Sequence, residues 1–220
     1  FVIPRTTELD GDKDPYKEES YARYNLNDYA PALMLEEALS FIHSSKENPF
    51  FLHFTTTIPH VPLQAPKEWV DKYRAKIGDE EPYSGNRGYF PCRYPMATYA
   101  AMVGYLDYQV GRIVEELKKL GIYENTIIFF TSDNGPVTTG GAVSQFFENA
   151  LPFNQDSDKL KGSVYEGGIH VPMIVSWPAV VKQAGVTDHI CAAWDMFPTF
   201  CDITGSDHPD GLDGISVLPS

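Results

Sequence analysis

One stretch of the chain, residues 126–136, constrains the fold more than any other. It reads T-I-I-F-F-T-S-D-N-G-P, so an apolar run of β-branched and aromatic side chains stops abruptly at a cluster of turn-forming residues. The run predicts a strand buried on both faces of a sheet, and open α/β sheets bind ligands at the carboxyl ends of such strands. Asp133 and Asn134 follow at that end, and their side-chain oxygens suit Ca²⁺ or Mg²⁺. On these residues alone a plain turn is the simpler interpretation, because Asn-Gly-Pro favours a turn whatever the function.

The composition argues against nucleic-acid binding. The 220 residues carry 17 Lys and Arg against 30 Asp and Glu, a net charge of −13, whereas phosphate backbones need clustered cations. An anionic substrate would need a bound metal or a focused Lys/His pair to overcome this repulsion. No apolar run approaches the roughly 18 residues that cross a bilayer, so we expect no membrane span. The three cysteines lack C-x-x-C spacing and predict spare or buried thiols rather than a zinc site.

The order of the elements predicts a βαβ unit. Residues 50–56 are aromatic and β-branched and predict a strand, whereas residues 96–120 repeat apolar side chains every three or four positions and predict a long helix. With the strand 126–132 next, the two strands are expected to be parallel and to end at the same edge of a sheet. His60, which directly follows the first strand in P-H-V-P, is therefore expected near the Asp-Asn pair.

The other segments predict an irregular lead-in, three more helices and one short strand. These are the lead-in 1–30, helices near 31–48, 67–76 and 194–203, and a strand at 173–177. The glycine-rich segment L-K-G-S-V-Y-E-G-G carries Lys161 near its start, and its paired glycines permit a tight backbone path. Taken singly, Lys161 could be an ordinary surface lysine and His60 could merely cap its loop. We find no internal repeat or linker and predict one α/β domain.

A long loop, residues 78–95, carries four aromatic side chains. They are Tyr83, Tyr89, Phe90 and Tyr94. Long loops in compact domains often bind ligands, and exposed aromatic rings can stack on a sugar. Packing of the same rings onto the domain is the simpler expectation, so the loop gives only a hypothesis for a sugar substrate.

Three motifs in this order resemble the sulfatase family within the alkaline-phosphatase-like superfamily. They are P-H-V-P with His60, S-D-N-G-P with Asp133 and Asn134, and K-G-S-V-Y-E-G-G with Lys161. The likeness covers residues 31–220 and includes V-P-M-I-V-S-W-P, D-M-F-P-T and D-G-I-S-V-L-P. The resemblance implies an α/β fold with a mostly parallel sheet flanked by helices. It also implies that this chain is the later portion of the catalytic domain, with residues 1–30 as a lead-in to the same domain.

The resemblance implies roles for four residues. In sulfatases the Asp-Asn pair ligates a divalent cation, which makes Asp133 and Asn134 metal ligands, for Ca²⁺ rather than Mg²⁺. The family's lysine, here Lys161, contacts the sulfate and bridging oxygens, and its histidine, here His60, stabilises or protonates the departing oxygen. Such groups lower the barrier as charge builds on the leaving oxygen. The implied substrate is a sulfated small molecule or glycan, and the implied location is secreted, periplasmic or lysosomal.

The chain also departs from the family pattern. Sulfatases make a formylglycine nucleophile from Cys or Ser within C/S-x-P-x-R, and none of Cys92, Cys191 and Cys201 stands in that motif. The paired aspartates and Lys/His segment near the family's amino end are missing, as is its carboxy-terminal subdomain. We therefore expect the formylglycine upstream, and predict that this chain is inactive by itself.

Two alternatives stay open at the level of the sequence. A phosphodiesterase or phosphonate hydrolase of the same superfamily would use similar chemistry on phosphorus, although those relatives commonly carry Asp-His-Gly where this chain has Asp133-Asn134-Gly135. A non-catalytic binding protein could have kept the fold without the nucleophile. The presence or absence of C/S-x-P-x-R in the natural full-length protein separates an enzyme from a binding protein.

Overall fold

Helices account for most of the regular structure. A computed structural model describes residues 8–25, 27–153 and 156–218. The helices are α1 (Ala30–Ser45), α2 (Lys67–Ile77), α3 (Pro95–Lys119), α4 (Ser144–Phe147), α5 (Glu166–Ile169) and α6 (Met196–Thr204), and the strands are β1 (Ile128–Thr131) and β2 (Met173–Ser176). Short 3₁₀ segments lie at Glu18–Tyr24, Tyr123–Asn125, Ser157–Lys159 and Ala193–Asp195. Within the described ranges, no helix is both long and apolar enough to cross a membrane.

The chain divides into two compact units, Phe1–Val180 and Val181–Ser220. The sequence shows no linker that would predict a boundary at this position. The candidate site residues all fall in the first unit.

Helix α3 is the centre of the first unit. It begins at Pro95, as helices often do, and the half-buried Glu80 carboxylate accepts hydrogen bonds from the first-turn amides of Met96 (2.5 Å) and Ala97 (3.0 Å). Desolvation raises the pKa of Glu80 despite these two bonds. Helices α1 and α2 both pack against α3. The predicted long helix is thus confirmed, and its apolar face forms the core of the unit.

Gln109 ties three segments together from the middle of α3. Its side chain is fully buried, with its amide nitrogen donating to the Pro31 carbonyl at 2.6 Å. Its amide oxygen accepts a hydrogen bond from the Thr56 hydroxyl at 3.0 Å. The start of α1 and the segment that precedes the His60 loop are therefore both fixed to α3.

The mostly parallel sheet is not confirmed. Strand β1 pairs with β2 in antiparallel register, with Ile128 opposite Ser176 and Thr131 opposite Met173. Residues 50–57 form no regular element in the described chain, so the expected parallel partner of β1 is not seen there. β-branched and aromatic residues favour a half-buried pleated surface but do not specify which strand lies beside them. Strand β1 is half-buried, whereas the sequence predicts a strand buried on both faces.

Aromatic and charged contacts hold the described part of the lead-in, residues 8–25 and 27–30. Tyr21 and Tyr24 are buried. The Glu18 carboxylate accepts hydrogen bonds from Arg74 and from Tyr94, both at 2.8 Å, and the Tyr94 bond is the main cause of the lowered pKa of Glu18. The described part of the lead-in therefore packs onto α2 and the start of α3.

In the second unit, Asp195 joins two of the motifs that carry the family resemblance. Its buried carboxylate accepts hydrogen bonds from the amides of Ala192 (2.7 Å) and Ile215 (2.9 Å). The Thr199 hydroxyl donates to the Asp195 carbonyl at 2.6 Å and accepts from the Val217 amide at 3.0 Å. D-M-F-P-T and D-G-I-S-V-L-P thus form one hydrogen-bonded structural element.

Candidate functional site

The turn after β1 presents the candidate cation ligands. Asp133 is exposed, and the Asn134 side-chain nitrogen donates to the Gly135 carbonyl at 2.9 Å. Because that bond uses the amide nitrogen, the Asn134 amide oxygen is the atom suited to a cation. The Ser132 hydroxyl donates to the Asn134 carbonyl at 3.0 Å and closes the turn. The turn interpretation and the ligand interpretation are therefore compatible.

Main-chain hydrogen bonds join this turn to the glycine-rich segment. The Gly135 amide donates to the Gly168 carbonyl at 2.9 Å, and the Lys161 amide donates to the Pro136 carbonyl at 3.0 Å. The two segments approach so closely that a Cβ atom at Gly135 would overlap the Gly167 carbonyl oxygen. The structure thus brings Lys161 beside the Asp-Asn turn, and only glycine at position 135 permits it.

A second glycine shapes the segment that carries Lys161. A Cβ atom at Gly168 would lie 2.5 Å from the Ser163 carbonyl oxygen and 2.6 Å from that of Leu160. Leu160 itself is fully buried. The paired glycines therefore allow the helix α5 to fold back against the start of its own segment, which confirms the tight backbone path predicted from the sequence.

His60 lies in a loop whose neighbours anchor it to the core. Val61 is buried with Ile58 in the main hydrophobic cluster, whereas His60 is exposed. The His60 Nδ1 atom lies 2.6 Å from the Val61 carbonyl oxygen. A carbonyl can only accept, so Nδ1 carries the proton and Nε2 is the atom available to a ligand.

The His60 loop meets the chain that follows the Asp-Asn turn. A Cβ atom at Gly140 would lie 2.7 Å from Val61 Cγ1 and 3.3 Å from Tyr89 Cδ2. No hydrogen bond or ion pair joins His60 to Asp133, Asn134 or Lys161 in the described residues. The structure therefore brings His60 to the same part of the first unit, but not into direct contact with the other candidate residues.

The donor set fits part of a hard-cation site. Ca²⁺ takes six to eight oxygen ligands, and carboxylate and amide oxygens are among those it prefers. Asp133 and Asn134 offer such oxygens at adjacent positions. Across the described residues, no group of three or more His, Cys, Asp or Glu side chains could hold a metal ion. The pair fits Ca²⁺ as part of a coordination shell rather than as a whole one.

The four loop aromatics have different environments, which the sequence does not reveal. Tyr83 is buried and donates to the Gly88 carbonyl. Phe90 packs on Tyr24 with ring centroids 5.5 Å apart, and Tyr94 lies under the Arg74 guanidinium. The fourth ring, Tyr89, is exposed beside His60, and no sequence signal distinguishes it from the other three.

The cysteines are confirmed as free thiols. Cys92 and Cys201 are buried, and Cys191 is partly exposed. Desolvation by burial raises the pKa of the Cys92 thiol to about 11. A protonated, buried thiol is a poor nucleophile, so Cys92 is a structural residue.

Side-chain oxygens after a strand and a lysine held beside them are groups that could bind a cation and an anionic group. The Sulfatase family model matches residues 3–206. The chain therefore belongs to the sulfatase family, and its structural neighbours belong to the alkaline-phosphatase-like superfamily.

Relatives and a solved structure support this assignment. The uncharacterized sulfatase YdeN of Escherichia coli K12 is 33% identical over 195 residues, covering 87% of this chain and 30% of that protein. The N-acetylgalactosamine-6-O-sulfatase of Bacteroides thetaiotaomicron is 34% identical over 185 residues, covering 82% and 30%. The crystal structure of Ps i-CgsB in complex with k-i-k-neocarrahexaose matches with a TM-score of 0.71 and 33% identity, covering 88% of this chain and 38% of that one. The chain thus spans about a third of the length of these proteins.

Proposed function

We propose that this chain is the later portion of the catalytic domain of a sulfatase that hydrolyses aryl or sugar sulfate monoesters. The proposal rests on two main-chain hydrogen bonds that hold the Asp-Asn turn beside Lys161. They join the Gly135 amide to the Gly168 carbonyl and the Lys161 amide to the Pro136 carbonyl. A local cation and lysine would offset the net charge of −13, which otherwise repels an anionic ester. Family membership supports the same chemistry.

Asp133 and Asn134 would hold a divalent cation, Ca²⁺ in preference to Mg²⁺. Ca²⁺ accepts carboxylate and amide oxygens in flexible geometry, whereas Mg²⁺ demands a near-ideal octahedron and gives up its waters reluctantly. When bound, the cation would neutralise charge on the sulfate oxygens. The exposed Asp133 carboxylate supports this role, as does the Asn134 amide, whose nitrogen is bound to the Gly135 carbonyl and whose oxygen would face the cation.

Lys161 would contact the sulfate and the bridging oxygen, because an ammonium group combines a positive charge with three hydrogen-bond donors. His60 would stabilise or protonate the departing oxygen. Since Nδ1 is engaged with the Val61 carbonyl, the proton would leave from Nε2 of the imidazolium. The neutral ring would keep its Nδ1 bond and its orientation while the alcohol departs.

Three observations support the proposal of a partial domain. The sequence has no C/S-x-P-x-R, so the formylglycine nucleophile is expected upstream. Asp133 and Asn134 would supply only part of a Ca²⁺ shell. The apolar strand β2 is exposed, with Ile174 at 61% of its maximal accessible surface, which leaves a face for further chain to cover. On this proposal the 220 residues alone are inactive, and metal-dependent turnover by them would refute it.

The test uses the natural full-length protein and 4-nitrophenyl sulfate, with EDTA and Ca²⁺ re-addition. Lys161→Ala and Asp133→Asn should each lower kcat/KM by roughly 100-fold or more, the size expected when a preorganised electrostatic contact is lost. Lys46→Ala and Asp158→Asn, two changes of the same kind at exposed positions, should have little effect. Equal losses in both pairs, or activity unaffected by EDTA, would refute the assigned roles.

The same assay decides between the remaining candidates. Faster turnover of bis-4-nitrophenyl phosphate than of the sulfate would favour the phosphodiesterase or phosphonate hydrolase. No turnover of either, in a protein without C/S-x-P-x-R, would favour a non-catalytic binding protein. For the sulfatase we propose a secreted, periplasmic or lysosomal location and a sulfated small molecule or glycan as substrate, in keeping with the sugar sulfatases among its relatives.

A further inference from the structure

Tyr89 presents an exposed aromatic ring beside His60. The two ring centroids lie 6.1 Å apart, with the planes at 73°. The Tyr89 side chain is 39% exposed, whereas Tyr83 from the same loop is 9% exposed. His60 is itself exposed, so a ligand that reaches its ring also lies next to the Tyr89 ring.

The loop holds Tyr89 in an unusual backbone conformation. Its φ angle is +65°, in the left-handed region that non-glycine residues seldom adopt. The preceding residue, Gly88, accepts a hydrogen bond from the buried Tyr83 hydroxyl, and the Arg87 amide donates to that same hydroxyl at 3.1 Å. Such local strain persists only where the surroundings impose it, and it is concentrated at functional sites.

A buried glycine lies close beside the Tyr89 ring. A Cβ atom at Gly140 would lie 3.3 Å from Tyr89 Cδ2, closer than most packed side chains come, and 2.7 Å from Val61 Cγ1. Gly140 is part of the chain that leads away from the Asp-Asn turn. The ring therefore lies where the turn segment and the His60 loop meet.

The other three aromatics of the loop are already engaged in packing. Tyr83 is buried, Phe90 packs on Tyr24, and Tyr94 lies between arginine side chains. Their removal would perturb the fold rather than a ligand. Of the four loop aromatics, Tyr89 alone combines an exposed face with proximity to a candidate catalytic side chain.

We propose that Tyr89 is a specificity-determining residue whose ring packs against the apolar face of the sugar that leaves as the alcohol. This inference rests on the proposed function, because His60 marks the leaving-group side only if the protein is a sulfatase. A tyrosine ring gives a sugar a broad apolar surface at a low cost in conformational entropy. The contact involves the sugar and not the sulfate, so it should strengthen substrate binding without changing affinity for inorganic sulfate.

The test compares Tyr89→Gly, Tyr89→Phe and wild type in the natural full-length protein. Glycine removes the ring but suits the left-handed backbone, so Tyr89→Gly should fold at least as well as wild type. Its KM for N-acetylgalactosamine 6-sulfate and galactose 6-sulfate should rise roughly 2- to 10-fold, the range of one aromatic contact. Tyr89→Phe should keep the wild-type KM, and the inhibition constant of inorganic sulfate should not change in either variant.

The control is Tyr108→Ala. Tyr108 is similarly exposed (36%) but lies on α3, where it packs on Trp69, and its replacement should leave the KM unchanged. An unchanged KM in Tyr89→Gly would overturn the inference and leave the sulfatase proposal intact. A parallel rise in the sulfate inhibition constant would also overturn it, since it would indicate a general structural role. Wild type that hydrolyses 4-nitrophenyl sulfate but neither sugar sulfate would refute the sugar contact, and wild type with no sulfatase activity would refute the proposed function itself.

Discussion

Gly135→Ala adds one methyl group in the Asp-Asn turn after β1, and we expect it to destabilise the protein strongly. The new Cβ would overlap the Gly167 carbonyl oxygen and lie 2.9 Å from the Gly167 carbonyl carbon and 3.2 Å from Gly168 Cα. All three are main-chain atoms, so no side chain can rotate away. Separating the segments would weaken the 2.9 Å bond from the Gly135 amide to the Gly168 carbonyl, at about 1 kcal/mol. Overpacking adds about 1–3 kcal/mol, which gives a loss of about 2–4 kcal/mol in the free energy of unfolding.

Urea unfolding of the 220-residue chain measures this loss, with Gly111→Ala as the matched control. Gly111 is exposed in α3, and a Cβ atom there would have no neighbour within 4 Å, so the same methyl group should be neutral or stabilising by up to about 1 kcal/mol. A Gly135→Ala variant within about 0.5 kcal/mol of wild type would refute the close packing of the two segments. In the full-length protein the same change should weaken Ca²⁺ binding, because it moves the turn that carries Asp133 and Asn134.

Two further predictions concern the core of the first unit. The raised pKa of the Cys92 thiol, about 11 against a usual 9.0, means that its contribution to stability is complete below pH 9 and is lost as the pH rises through 11. Wild type should therefore lose more stability than Cys92→Ala over that pH range, and equal pH profiles would contradict this. At about pH 8 a thiol reagent should modify Cys191 well before Cys92. Equal labelling rates of the two thiols would contradict this second expectation. Gln109→Leu leaves two hydrogen-bonding partners unsatisfied and should lower the free energy of unfolding by about 2–4 kcal/mol, against almost no change for the exposed Gln183→Leu. A urea midpoint unchanged in Gln109→Leu would show that the buried amide does not join the three segments.

Local sequence patterns predict a helix or strand well where the residues of that segment alone determine its conformation. The apolar repeat of residues 96–120 predicts α3 to within one residue at each end, and the apolar run before Asp133 predicts β1. The partner of β1 could not be predicted in the same way, because a β-branched run specifies an extended conformation and not a neighbour. The antiparallel pairing with β2 depends on contacts between residues more than forty positions apart.

For the candidate site, too, the sequence predicts which residues are involved but not how they are arranged in space. The candidate residues can be predicted by type and order, since Asp133, Asn134, Lys161 and His60 each stand in a motif. The approach of Lys161 to the Asp-Asn turn depends on main-chain packing between Gly135 and Gly168, which a sequence shows only as glycines.

Tyr89 illustrates why a composition of aromatics cannot by itself identify a binding surface. Four similar side chains occupy one loop, and each could stack on a ligand. Three of them pack against residues elsewhere in the chain, as Phe90 does on Tyr24 and Tyr94 does on Arg74. The remaining ring is exposed next to His60, and its backbone adopts a left-handed conformation. An exposed ring held in a rare backbone conformation beside His60 therefore favours a ligand contact.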